Sequence, residues 1–163
     1  MPSKTLMLRF SCLLIAAWFV MTTTHEVGHL IGGWISGGTL QHAELRPWHL
    51  PHSHFAPDPH PLVTLWAGPL IGVIVPLLLA LVIRKPSVWF IANFCMLANG
   101  TYLAVAWFTG DPFLDTPRLL AAGASPLSIA TFCALTLFWG YRAFRASCIA
   151  IFHSKPQQPN HSK

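Results

Sequence analysis

The chain has 163 residues, 53% of them hydrophobic and only 9% charged, with a formal net charge of +5. A soluble domain usually carries about 25% charged residues, so these charges are too few to cover a water-facing surface, and lipid is the natural alternative. The basic residues sit between apolar runs and form no stripe with interleaved polar groups. That argues against nucleic acid as a partner and makes them markers of membrane topology.

Four stretches are long enough to cross a bilayer, which takes about 20 residues of helix: Leu6 to Ile35, Leu62 to Ile83, Val88 to Phe108 and Leu127 to Phe152. Lys4 and Arg9 ahead of the first run resemble a secretory signal. However, the apolar stretch continues through Val27 and Ile31 to Ile35 with no small-residue cleavage site, so a retained helix is expected. Arg84-Lys85-Pro86 separates the second run from the third as a tight turn, and Pro69 and Pro76 should kink the second.

Between the first two runs, Gly37 to Pro61 carries Pro47, Pro51, Pro57, Pro59 and Pro61 among His42, His49, His52, His54 and His60. Proline at this density excludes a regular helix. The loop histidines could bind a second metal, but their irregular spacing reads more simply as a solvated interfacial loop. A second irregular stretch, Gly110 to Pro126, joins the third and fourth runs.

The expected fold is therefore an all-α membrane protein of about four transmembrane helices with irregular or re-entrant loops at 37–61 and 110–126. It forms one integral membrane domain over 1–152, followed by a disordered tail over 153–163. Cys12, Cys95, Cys133 and Cys148 lie inside apolar runs without CxxC spacing and read as packing residues. So do the glycines 28, 32, 33, 37 and 38, Gly28 also keeping room beside a metal. Asn93 and Asn99, polar groups in an apolar run, should face the bundle interior. Trp48, Trp66 and Trp107 read as interface anchors.

Lys4, Arg9, Arg84, Lys85, Arg142, Arg145, Lys155 and Lys163 fall on one side of a four-span arrangement, and only Arg46 and Arg118 on the other. The positive-inside rule then puts both termini in the cytoplasm and both loops outside, in a multi-pass protein of the plasma (inner) membrane.

The chemistry concentrates in His25-Glu26-Val27-Gly28-His29. On a helix, positions i and i+4 share a face, so both imidazoles can reach one metal ion, and Glu26 beside them can take a proton from a metal-bound water. Neutral imidazole suits zinc, and a catalytic zinc needs three protein ligands and an open position. An ionisable side chain at the centre of a membrane helix costs about 2.5–3.5 kcal/mol on insertion scales, so two histidines and a glutamate together argue for function. A solvated cluster at a helix end is the plainer alternative. The third ligand must come from Glu44, Asp58, Asp111, Asp115 or the loop histidines.

The HEVGH motif in the first helix, Ala67-Gly68-Pro69-Leu70 in the next and a later acid at a helix start resemble site-2 proteases, the intramembrane zinc metalloproteases. That family draws its third ligand from a Leu-Asp-Gly motif, typically followed by Gly-Arg and an apolar pair. This chain reads Leu114-Asp115-Thr116-Pro117-Arg118-Leu119-Leu120, with Thr116 and Pro117 in place of the glycines. The family's Asn-x-x-Pro-x-Pro run is absent, and Asn99 lies too far upstream to stand in for it. The resemblance implies zinc held by His25, His29 and Asp115, with Glu26 as catalytic base and a strand element after HEVGH lining the cleft. Asp111, four residues earlier, is the alternative ligand, and a carboxylate capping a helix is the plainer reading of either.

The expected function is an intramembrane zinc metallopeptidase cutting a transmembrane protein or peptide within or near its membrane segment. A membrane protein that passes metal ions is the alternative from another class. A relative that binds a partner helix without cutting it is a third.

Overall fold

A computed structural model describes residues 4–46, 48–49 and 51–153. It is mostly helical, at 77%, and four of its helices are long and apolar enough to cross a membrane, a set compatible with a multi-pass membrane protein. These are α1 (Lys4–Ile35), α2 (Pro61–Ile83), α3 (Pro86–Thr109) and, after the short α4 (Asp115–Ala121), α5 (Pro126–His153). The expected spans differ by a few residues at their ends. His153 closes α5 instead of opening a tail. The rest of the expected tail, with Lys155 and Lys163, and Pro47 of the loop lie outside the described residues.

Chain chemistry sets the helix limits. Proline stands at the first position of α2, α3 and α5, where its missing N–H has no helical partner to lose. Helix α2 ends at Arg84 in the left-handed region (φ 55°), its N–H closing on the Ala80 carbonyl at 2.9 Å, and Lys85 then leads directly into α3. Gly110 ends α3 in the same way (φ 65°), a conformation glycine adopts without cost.

Small residues let the helices approach. A Cβ at Gly28 would lie 2.5 Å from the Ala67 carbonyl oxygen, and one at Gly32 would meet the Ala67 methyl, so α1 rides directly on α2. At Gly140 a Cβ would stand 2.7 Å from the Leu97 nitrogen, bringing α5 onto α3. Phe10 packs against Phe90 and Phe152, which gathers the start of α1, the start of α3 and the end of α5 at one end of the bundle. Toward the other end, Leu65, Leu103, Leu119, Ala124, Ile129 and Cys133 form a buried apolar cluster. The outward faces remain apolar, with Leu78, Val82, Phe108 and Phe138 among the exposed side chains. Such a surface suits hydrocarbon.

Both connecting loops are more ordered than the sequence predicts. The 37–61 stretch holds an antiparallel pair, β1 (Leu40–Glu44) and β2 (His52–Phe55), so the fold is not purely helical. The described prolines all lie outside the two strands, and β2 alternates, burying Ser53 and Phe55 and exposing His52 and His54. Phe55 seats its ring where a Cβ at Gly33 would collide with it, docking the hairpin on α1. The 110–126 stretch contains α4, tied down by buried Leu119 and by Thr116, whose hydroxyl donates to the Leu103 carbonyl at 2.7 Å.

Phe55→Ala should undock the hairpin at a cost of about 3 kcal/mol. The expected signature is faster proteolysis between Glu44 and His52 with helical circular dichroism unchanged.

Candidate metal centre

His25 and His29 lie one turn apart on α1, and Asp115 opens α4, all three of them buried. The His25 and His29 Nε2 atoms are 3.0 Å apart, and Asp115 Oδ2 lies 2.8 Å from the first and 3.2 Å from the second. The group could hold a metal ion, its three ligand atoms all lying within 4.8 Å of one another.

The outer hydrogen bonds decide what those atoms offer. The Asn99 amide Nδ2 donates to the Cys95 carbonyl at 2.8 Å, which leaves its Oδ1 to accept from His25 Nδ1–H at 2.7 Å. His29 Nδ1 faces the Thr64 carbonyl at 2.9 Å, and a carbonyl can only accept. With both Nδ1 atoms protonated, the neutral rings direct Nε2 lone pairs at each other and at a carboxylate oxygen. One added proton would serve a single pair and leave another acceptor facing an acceptor. A cation bound by all three relieves the whole set, so the residues present fit a metal ion.

Glycines on α2 make room for this arrangement. A Cβ at Gly68 would stand on the His29 ring, and one at Gly72 would press on the Asn99 amide at 2.9 Å. Tyr102 presents its ring edge-on to His25, with centroids 5.4 Å apart. The two residues that follow Asp115 both suit the start of α4. Thr116 gains its bond to Leu103, and Pro117 occupies the first turn, where backbone N–H groups have no helical partner.

Glu26 is buried beside the group, and its Oε2 has no hydrogen-bond partner among the described residues. It faces a cleft of about 580 Å³, lined also by His29, Asp115, Ser53 of β2 and Arg118. A recess of about 150 Å³ reaches Glu26 from the side of Trp18 and Met21. A buried carboxylate oxygen without a donor costs more than 1 kcal/mol, and here it borders a space that can admit a water or a substrate.

The remaining acids are occupied elsewhere. Asp111, weighed as the alternative ligand, is exposed and accepts from the Phe113 N–H at 3.0 Å, a local turn contact that keeps it out of the group. Asp58 accepts from the His60 N–H at 3.3 Å. Glu44 is held by Arg46, whose Nε donates to its two oxygens at 2.8 and 3.0 Å, and those hydrogen bonds hold its carboxyl down at about 2. The loop histidines also lie outside the group.

Sequence reasoning left the roles of Asn99, Thr64 and Gly68 unseen. Asn99 was expected to face the bundle interior, which it does, but not to orient His25, and Gly68 entered only through the Ala-Gly-Pro-Leu match. The one available signal was a lone amide inside an apolar run. Asn93 also faces the interior, donating to Ser147 Oγ of α5 at 3.0 Å.

The chain matches no protein-family model, no curated protein and no solved structure with which it was compared.

Asp115→Asn and His29→Ala should each abolish metal binding at this buried centre, while Asp111→Asn should leave it unchanged. Asn99→Ala should weaken it about 10–100-fold by freeing the His25 ring. Elemental analysis and competition with a chelator measure both effects.

Proposed function

We propose that this chain is an intramembrane zinc metallopeptidase that hydrolyses a peptide bond within or near a transmembrane segment. The observation that carries the reading is the buried His25–His29–Asp115 group with Glu26 Oε2, which has no hydrogen-bond partner among the described residues, beside it on an open cleft. His25, His29 and Asp115 would hold the ion. Zinc bound there supplies a Lewis acid and brings water close to the acidity needed for attack at neutral pH.

The chain's own groups do the rest. Glu26, with no donor on Oε2, is placed to take the proton of the attacking water and pass it to the leaving amine. Asn99 and Thr64 fix the two rings, so that no reorientation accompanies each turnover. The cleft lies between β2 and the segment leading into α4, and a substrate must enter it extended, because a helix hides its carbonyls in hydrogen bonds.

The family that this arrangement resembles is the site-2 proteases, and the resemblance supports the same roles. The basic residues Lys4, Arg9, Lys85 and Arg145 belong to the end where Phe10, Phe90 and Phe152 meet. The positive-inside rule puts that end, with both termini, in the cytoplasm of a plasma (inner) membrane. A general base needs a carboxylate oxygen that is not committed to a donor, and Glu26 Oε2 beside a complete three-ligand group meets that need, which favours catalysis over metal passage or partner binding.

The test is Glu26→Gln in proteoliposomes carrying a transmembrane peptide substrate. Zinc content should stay at the wild-type level while cleavage falls about 10²–10⁴-fold. Wild-type cleavage by this variant would rule the peptidase out.

A further inference from the structure

The register of the hairpin turns an irregular run of histidines into a regular array. His42 pairs with His54 and Glu44 with His52, so these four side chains project from one face of the sheet. Ser53 and Phe55 point the other way and are buried. Directly opposed residues in an antiparallel pair have Cβ atoms about 4.5–5.5 Å apart, and diagonal neighbours remain within reach of long side chains. The rings of His42 and His52, on the diagonal, already have centroids 5.2 Å apart.

We propose that His42, His52 and His54 form a second transition-metal site on the exposed face of the hairpin, separate from the buried centre. Two histidines at i and i+2 on β2 and a third across on β1 offer three imidazole nitrogens from one side, leaving the outer side of the ion to water. Three neutral imidazoles suit zinc, copper or nickel rather than calcium or magnesium. All three side chains are exposed, so rotation about their χ angles can bring the ring nitrogens to one ion without disturbing the core. Among the described residues only the buried group already has its ligand atoms within 4.8 Å of one another, so the hairpin site should be the weaker of the two.

Glu44 shares this face, but Arg46 holds both of its oxygens, so the imidazoles supply the ligands. Phe55 against Gly33 pins the hairpin to α1, and His52 and His54 both line the cleft that contains Glu26. An ion on this face would therefore sit at the mouth of the cleft and hold β1 to β2. This inference concerns metal binding alone and stands whichever reaction the buried centre performs.

The experiment is a zinc titration of full-length, tag-free protein in detergent, followed by calorimetry and repeated with cobalt to read the ligand field. Wild type should bind two equivalents, one tight and one weaker. His42→Ala and His54→Ala should each remove the weaker equivalent and keep the tight one, and His49→Ala, a loop histidine outside the array, should change neither. His29→Ala should do the reverse of the hairpin variants, losing the tight equivalent and keeping the weaker. A single equivalent in wild type, or a weaker equivalent that survives both hairpin substitutions, would overturn the proposal. Because His42 and His54 are exposed, their variants should fold, and circular dichroism verifies it.

Discussion

The convergence of two imidazole nitrogens and one carboxylate oxygen in a buried, apolar setting is unfavourable by itself. Each group gives up water, and without a cation the three acceptors repel. The surrounding structure holds them against that tendency. Asn99 and Thr64 engage the far side of each ring, so the lone pairs cannot turn away. Thr116 and Leu119 fasten α4 so that Asp115 points inward, and the bundle needs α1 pressed onto α2 to leave no room for retreat. The fold around the three ligand atoms thus sets their geometry, and binding an ion would need little ordering of the chain.

The parts of this arrangement visible in sequence were those governed by local periodicity. Apolar run length located the four long helices, and the i, i+4 spacing placed His25 and His29 on one face. The choice between Asp111 and Asp115 was not local. It depended on where α4 begins, four residues that separate a turn contact on the surface from a buried ligand. The hairpin was hidden for a related reason. Prolines around it mask the strands in a reading of the residues alone, where only the resemblance implied a strand element, although in the described residues they fall outside the strands and leave the alternation of His52 to Phe55 intact. Asn99 was legible as a polar residue needing a partner, but the partner is 74 positions away in sequence.

The two residues after Asp115 stiffen the start of α4. Thr116 ties it to α3 through its hydrogen bond to the Leu103 carbonyl. Proline at 117 fixes φ where a helix begins, and in a first turn that fixation favours the helix. Asp115 is thereby carried on a rigid element.

Gly68 and Gly72 stand one turn apart on α2, the first against the His29 ring and the second against the Asn99 amide that orients His25. Neither glycine offers a ligand, and to a survey of chemistry-bearing residues both would look neutral. Yet a methyl group at either position would have to displace a ring or an amide that shapes the centre, so the two missing side chains belong to the site as much as its ligands do.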